Sequence, residues 1–266
     1  MKFKKNYRIE LAKTLTGHYY SVWQKGPGKI KEKFLGHYPS VTTCLQAYPT
    51  SEQLVKWMAE KGFHESREIR DTAGRAGTKI HSAIDSLLAG DVLMEISYTT
   101  EEWVKLESFV NWYREFKPEV IMTEFPIFSK KGKYAGRVDC LAKLNGEIYL
   151  IDWKSSRSIH ESAILQVSAY ASAVEENTDV KIENTAILQM GAQNKSGYRF
   201  VIQNDWRDKY KVFKNVQATW EYDNYTSKKN PKEPPVLVLP ETLSLDSIPK
   251  FTSKVTGTKF PPPYLK

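Results

Sequence analysis

A β-hairpin is predicted by the run Tyr134-Ala-Gly-Arg-Val-Asp-Cys-Leu-Ala-Lys-Leu-Asn-Gly-Glu-Ile-Tyr-Leu-Ile-Asp-Trp-Lys154, in which apolar and polar residues alternate on both sides of Asn145-Gly146. An Asn-Gly pair between two such runs favours a two-residue type I′ loop. That loop pairs Leu144 with Glu147 and fixes the register of both strands, provided that neither strand contains a bulge.

The same register sets two carboxylates opposite each other, Asp139 and Asp152. Directly opposed strand residues have Cβ atoms roughly 5 Å apart, and like charges there destabilise a sheet. A divalent cation would convert this repulsion into a binding site, because hard cations prefer carboxylate oxygens. Side chains alternate between faces, so the two acids share a face with Arg137 and Lys154. The opposite face is predicted to be core, formed by Val138, Cys140, Ala142, Tyr149, Ile151 and Trp153.

Composition favours a folded, basic protein with an anionic partner. The chain has 266 residues, 41% of them hydrophobic, and a formal net charge of +8. This excess favours nucleic acid as partner, although an ordinary basic protein has the same balance. Two cysteines are too few for a disulfide scaffold or a cysteine-ligated metal cluster.

The sequence contains no membrane or targeting signal that we recognise. No apolar run approaches the roughly 20 residues that span a bilayer, and no apolar segment follows the basic start Met1-Lys-Phe-Lys-Lys-Asn-Tyr-Arg8. We therefore expect no membrane partner and a reducing, cytoplasmic location.

Three regions differ in composition. Residues 1–50 are predicted to form a β-rich N-terminal extension with a turn at Gly26-Pro27-Gly28, and residues 51–225 an α/β core. Residues 226–266 hold eight of the thirteen prolines and are predicted to form a proline-rich tail, either wrapped around the body or mobile. Such a tail is a candidate binding segment for a protein partner.

Hydrophobic periodicity and capping residues predict the order of elements in the core. Residues 65–89 are predicted to be helical with a break near Gly74-Arg-Ala-Gly77 and Thr78 capping the second part. Asp205 is predicted to cap the last helix. The other predicted helices are 51–62, 101–116 and 160–176, and the predicted strands are 120–128, 134–144, 147–154, 185–190 and 198–202.

This order, with an aspartate on one hairpin arm and Asp-x-Lys on the other, resembles the PD-(D/E)XK nuclease superfamily over residues 74–202. Within it the chain is similar to the RecB-like exonuclease branch, which includes mitochondrial genome maintenance exonucleases and phage exonucleases. The motifs that carry the resemblance are Gly77-Thr-Lys-Ile-His81, Glu124, Gly136-Arg-Val-Asp139, Ile151-Asp-Trp-Lys154 and Gln166-Val-Ser-Ala-Tyr170. The resemblance implies a mixed β-sheet flanked by helices and a metal-dependent DNA nuclease.

The resemblance also assigns metal ligands. It implies that His81 and the backbone carbonyl of Trp153 join Asp139 and Asp152 around Mg²⁺ or Mn²⁺. The helix pattern alone favours a buried structural histidine at His81, so this role rests on the resemblance. Lys154 is predicted to hold the attacking water or offset charge in the transition state, and a salt bridge with Asp152 is compatible with that role.

Other residues are predicted to support the site. Glu124 is predicted either to reach the metal or to be a plain acid at the start of an edge strand beside Pro126. Gln166 and Tyr170 lie four residues apart on one helix face, where the resemblance implies contact with DNA phosphate or metal ligands.

DNA contacts are expected from basic residues near the predicted site. Arg137 is interpreted either as a phosphate contact or as a charge balancer. Arg75 and Lys79 are candidate DNA contacts on the His81 helix, although a solvated helix face is the usual role of such charges.

The sequence therefore predicts an exonuclease that acts on single-stranded DNA or a flap with a free end. The alternatives are a structure-specific endonuclease and a non-catalytic accessory protein that binds DNA ends. The sequence lacks the Gly-x-x-x-x-Gly-Lys-Ser/Thr motif of P-loop ATPases, so we expect no translocation driven by its own ATP hydrolysis.

Overall fold

The computed structural model describes residues 1–12, 17–26 and 32–226. The helices are α1 (Val41–Cys44), α2 (Glu52–Lys61), α3 (Phe63–Ala89), α4 (Thr100–Phe116), α5 (Glu161–Asn177) and α6 (Trp206–Glu221). The strands are β1 (Tyr7–Ala12), β2 (Tyr19–Gln24), β3 (Lys33–Pro39), β4 (Glu119–Ser129), β5 (Tyr134–Leu144), β6 (Glu147–Lys154), β7 (Asn184–Met190) and β8 (Tyr198–Gln203). Short 3₁₀ turns lie at Leu45–Ala47 and Glu95–Ser97, and a π-helical turn at Tyr222–Thr226.

The two sheets form a mixed α/β structure. In the described residues, β1, β2 and β3 form a three-stranded antiparallel sheet, as expected for a β-rich N-terminal region. Strands β4 to β8 form a five-stranded sheet in the order of the chain, in which only β6 and β7 are parallel. Helix α5 connects these parallel strands, which require a crossover of this kind.

The hairpin between β5 and β6 has the predicted register. Leu144 pairs with Glu147 and Cys140 with Ile151. Asn145 and Gly146 have φ angles of 50° and 92°, which are the positive values that a type I′ loop requires. The strand prediction and its register are therefore confirmed.

Core covers both faces of the large sheet, whereas the sequence predicted it only on the face away from the acids. Leu141 and Leu150, on the acidic face, are fully buried against α5 and α6 residues such as Leu165 and Phe213. The prediction of core on one face alone was wrong. The connection between two parallel strands places a helix over the other face, and strands that are covered on both faces carry apolar residues on both faces. Val138, predicted to pack beside Trp153, belongs instead to the cluster that contains Leu141.

The opposite face packs against α3 and α4. Its cluster includes Cys140, Ile151 and Trp153 from the strands with Ile84 and Phe109 from the helices. With Ala142 in the same cluster and Tyr149 packed against it, five of the six predicted core positions lie where the alternation placed them.

Helix α3 is continuous, so the predicted break near Gly74 and Gly77 is wrong. Thr78 does not cap a second helix; its Oγ1 donates to the Gly74 carbonyl within the helix. Each helical glycine costs about 1 kcal/mol relative to alanine, which burial of Ile80 and Ile84 in the core outweighs. The predicted end is confirmed, since Gly90 caps the helix at φ 96°.

Hydroxyl side chains cap two other helices. Ser51 accepts from the Leu54 backbone at the start of α2, and Thr99 and Glu102 form a capping box at the start of α4. Asp205 occupies the N-cap position of α6 but makes no side-chain capping bond there.

The structure does not test the predictions for two regions of the chain. Residues 27–28 of the predicted N-terminal turn, and all of the proline-rich tail after Thr226, lie outside the described residues. Within the described ranges, none of the helices combines the length and apolar character needed to span a bilayer. The proposed boundaries at 50 and 225 stay predictions.

A close approach between strand and helix explains one glycine of the sequence motifs. A Cβ atom on Gly136 of β5 would clash with ring atoms of Tyr170 on α5. Tyr170 is buried, and its hydroxyl accepts a hydrogen bond from Gln166. Glycine at position 136 therefore allows α5 to lie close enough to the acidic face to bring Gln166 into the site.

We expect Gly136→Ala to destabilise the protein by about 1–3 kcal/mol, because Tyr170 is buried and has no space to move away from an added methyl group. Gly74→Ala is the matched control: no atom lies within 4 Å of its added Cβ, and alanine should stabilise the helix by about 1 kcal/mol. Urea unfolding of both variants measures the difference. Wild-type stability in Gly136→Ala would refute the close approach.

Candidate metal centre

Three carboxylates form a row across adjacent strands of the large sheet. Strands β4 and β5 pair Thr123 with Cys140 and Phe125 with Val138, which places Glu124 opposite Asp139. The register of β5 and β6 in turn places Asp139 opposite Asp152. Glu124, Asp139 and Asp152 therefore come from β4, β5 and β6 at one level of the sheet.

Glu124 lies in the middle of β4, not at the start of a strand as predicted, because β4 begins at Glu119. Its φ angle is 45°, in the left-handed region, and the register of β4 against β5 shifts shortly before it, between Val120 and Met122. A non-glycine residue held in this region costs of order 1–3 kcal/mol, and such strain is concentrated at functional sites. In this conformation Glu124 Oε1 lies 3.5 Å from His81 Nδ1.

His81 reaches the row from α3. Its Nδ1 lies 3.5 Å from Glu124 Oε1 and 3.6 Å from Asp139 Oδ1, and its Nε2 lies 3.1 Å from the Trp153 carbonyl oxygen. A carbonyl only accepts, so Nε2 donates to it. In the neutral ring, Nδ1 then presents its lone pair to the space between the two carboxylates, as a metal ligand does.

Asp139 and Asp152 are held in different ways. Asp139 Oδ2 accepts from the Trp153 backbone N–H at 2.8 Å, which fixes the carboxylate. Asp152 is 1% exposed, and its Oδ2 lies 2.7 Å from Lys154 Nζ. This ion pair leaves Asp152 Oδ1 buried and without a hydrogen-bond partner among the described residues.

A chain of polar contacts supports Lys154 from α5. Lys154 Nζ donates to Gln166 Oε1 at 3.4 Å, and Gln166 Nε2 donates to the Tyr170 hydroxyl at 3.2 Å. Gln166 and Tyr170 thus face the sheet together, as their spacing predicted. Gln166 contacts Lys154 in this arrangement, while its contact with DNA stays a prediction.

Burial and mutual repulsion shift the ionisation of these groups. Burial, followed by repulsion from Asp152, raises the pKa of Asp139. Burial lowers the pKa of His81, but Glu124, Asp139 and Asp152 outweigh it, and the net pKa is raised. Burial likewise lowers the pKa of Lys154, and the charges of Asp152 and Asp139 more than compensate, so its pKa is raised.

The residues of the row fit a hard divalent cation. One ligand atom each from His81, Glu124 and Asp139 lie within 4.8 Å of one another. Glu124 Oε1 and Asp152 Oδ1 are buried without a hydrogen-bond partner in the described ranges, and a bound ion would satisfy both atoms. Carboxylate oxygens with one imidazole suit Mg²⁺ or Mn²⁺.

The structure thus brings together most of the predicted ligands and favours one that the sequence left open. Glu124 stands in the ligand cluster, while Asp152 continues the row toward Lys154. The Trp153 carbonyl contacts His81, so its role as a metal ligand stays a prediction.

The predicted DNA contacts are dispersed. Arg137 is exposed, and its Nη1 lies 3.5 Å from Glu124 Oε2. Arg75 donates to Thr72 Oγ1 at 2.9 Å on the surface of α3. Lys79 forms an ion pair with Glu102 at 2.6 Å. Their roles in DNA binding stay predictions.

Two supporting features were missed in the sequence. Asp85, one helical turn after His81, accepts a hydrogen bond from Thr123, the residue before Glu124, and so joins the two elements that carry those ligands. Its i, i+4 spacing from His81 was the available signal.

The second missed feature is a cavity of about 280 Å³ beside Lys154 and Gln166. Hydroxyl groups line it, from Thr42, Ser156, Ser158 and Ser162. The serines that follow Lys154 in the sequence were the available signal.

Comparison with known proteins supports a nuclease family. The chain is 27% identical over 162 residues to human mitochondrial genome maintenance exonuclease 1, covering 54% of this chain and 46% of that protein. It is 29% identical over 153 residues to the mouse protein of the same name, covering 51% and 44%. The match thus spans about half of this chain and slightly less than half of each relative.

Two other comparisons add no argument. No family model matches the chain. The crystal structure of SSO0001 covers 72% of this chain and 85% of its own, at 14% identity and a TM-score of 0.36, which is too low to support a shared fold.

We expect Asp139→Asn to raise the melting temperature of the metal-free protein by about 2–4 °C, as about 1 kcal/mol does in a chain of this size. The amide removes repulsion in the row yet still accepts from Trp153. Mn²⁺ should stabilise the wild type and have little effect on the variant. Asp208→Asn, at an exposed acid paired with Lys211, is the matched control. A lower metal-free melting temperature with an intact Mn²⁺ effect would contradict this assignment.

Without metal, the free energy of unfolding should fall as pH rises from about 5 to about 8. The raised pKa of Asp139 means that folding opposes its ionisation, so stability is lost as pH rises above its ordinary pKa. The raised pKa of His81 gives stability below its ordinary pKa that is lost as pH rises through the folded value. Both effects have the same sign. Urea unfolding in EDTA measures the slope, which saturating Mn²⁺ should reverse.

Proposed function

We propose that this chain is a metal-dependent DNA exonuclease of the PD-(D/E)XK superfamily, in its RecB-like branch. It hydrolyses phosphodiester bonds from an end, on single-stranded DNA or a flap. The observation that carries the proposal is the row of Glu124, Asp139 and Asp152 with His81 at one end and Lys154 at the other. The weak similarity to the human and mouse exonucleases supports it.

The metal site of this proposal is formed by His81, Glu124, Asp139 and Asp152. When bound there, Mg²⁺ or Mn²⁺ supplies Lewis-acid polarisation of the scissile phosphate and a lower pKa for the attacking water. A bound metal would explain why carboxylates that repel one another are kept in a buried position. The strand register holds each acid in place, and the ligand atoms lie close together around one position.

Lys154 acts as a positive charge and hydrogen-bond donor, not as a base. Its raised pKa keeps the ammonium protonated at neutral pH. Asp152 and Gln166 hold Nζ beside the row, where it donates to the attacking water or to a phosphate oxygen as negative charge builds up. One fixed donor of this kind contributes roughly 10²–10³ in rate at comparable sites.

Overall charge supports a nucleic-acid substrate. The chain carries a net charge of +8, while the row itself is acidic, so the acids are concentrated at one point of a basic protein. A metal ion would neutralise that point and allow a phosphodiester to approach.

We expect Mg²⁺ or Mn²⁺ to support stepwise shortening of end-labelled single-stranded DNA, and EDTA or Asp152→Ala to abolish it. Lys154→Ala should lower the cleavage rate about 10²–10³-fold and leave DNA binding largely intact. Lys211→Ala, an exposed lysine on α6, is the matched control and should cut as the wild type does. Denaturing gels of timed reactions give the rates and the polarity.

Substrates without ends separate the alternatives. A circular single strand should resist cleavage, whereas an endonuclease would open it. DNA binding that chelation does not change, with no cleavage by either metal, would favour the accessory protein. Cleavage at the wild-type rate by Lys154→Ala would refute the mechanism.

A further inference from the structure

A second cavity opens next to the acidic row, at the carboxyl ends of the parallel strands β6 and β7. Its volume is about 860 Å³, within the range of small-ligand sites. Ser155 and Ser156, directly after Lys154, line one side, and the first turns of α4 line another. Gln189 also lines it and is the ladder partner of Lys154. In open α/β sheets, ligands bind at this end of the strands.

Gln189 has one polar atom without a partner. The residue is 2% exposed, and its Nε2 donates to the Ser156 carbonyl at 3.0 Å. A carbonyl only accepts, so this contact fixes which end of the amide is the NH₂ group. Gln189 Oε1 is buried and has no hydrogen-bond partner among the residues that the structure describes. A buried acceptor of this kind calls for a donor, which a ligand or an ordered water supplies.

The lining of the cavity is basic. Arg157, on the loop after β6, and Arg199, on β8, are exposed side chains at its border. Glu101 is the acid in the lining, and Lys105 pairs with it at 2.8 Å. Lys105, and more weakly Arg157, lower the pKa of Glu101, so its charge is already balanced. Arg199 makes no side-chain ion pair within the described ranges, which leaves the cavity net positive.

We propose that this cavity holds a nucleotide of the DNA strand next to the scissile phosphate. Arg157 and Arg199 contact backbone phosphates, and Gln189 Oε1 accepts from an N–H group on the base. This assignment rests on the proposed nuclease function and names residues that would favour an unpaired strand. In a duplex the Watson–Crick N–H groups are already paired, whereas an unpaired base offers them to a protein acceptor.

The test is fluorescence anisotropy of a labelled single-stranded oligonucleotide and of its duplex, with the full chain in Ca²⁺ and with cleavage assayed separately in Mn²⁺. The variants are Arg157→Ala/Arg199→Ala and Gln189→Leu, with Lys211→Ala as control. The double variant should bind the single strand about tenfold more weakly, with a salt slope smaller by about 1.4, because each phosphate contact contributes about 0.7. Gln189→Leu should weaken binding of the single strand and not of the duplex.

The outcomes separate this inference from the proposed function. Single-strand binding that is unchanged in the double variant, alongside normal cleavage, would overturn the cavity assignment and leave the nuclease intact. Binding that the double variant loses, in a chain that never cleaves DNA, would support the cavity and overturn the nuclease. If Gln189→Leu melts at a lower temperature than the wild type, lost stability confounds its binding measurement. The double variant Arg157→Ala/Arg199→Ala, at two exposed positions, then decides the result.

Discussion

The register of one hairpin determines the arrangement of the candidate site. Asn145 and Gly146 fix which residue of β5 faces which residue of β6, and a shift of one residue would turn Asp139 away from Asp152. The buried neighbours Leu141 and Leu150 resist such a shift, because it would remove them from the cluster that they form with residues of α5 and α6. The core thus holds the carboxylates together against their repulsion. The geometry of the site therefore depends on the packing of these neighbouring leucines.

The sequence predicted the hairpin, its register and most helix ends because these depend on local rules. Positive φ angles select Asn145-Gly146, and Gly90 ends α3 in the left-handed conformation that glycine adopts readily. The break in α3 was wrong since tertiary burial of Ile80 outweighs the low helix propensity of the glycines.

The candidate site was predictable where it lies on one hairpin and less so where separate elements meet. Asp139, Asp152 and Lys154 follow from alternation along two strands. Glu124 could not be assigned from the sequence, because its orientation depends on a left-handed backbone conformation that no local signal requires. The hydrogen bond from Thr123 to Asp85 likewise depends on how α3 packs against the sheet.

The position of Glu124 on an edge strand has a consequence for association between molecules. Strand β4 ends the five-stranded sheet in the described chain, and an exposed edge of this kind invites pairing with a strand from another molecule. Pro126 lacks a backbone donor, and the positive φ at Glu124 bends the strand out of regular geometry. The conformation that places Glu124 beside His81 therefore also disfavours pairing of this edge with a strand from another molecule.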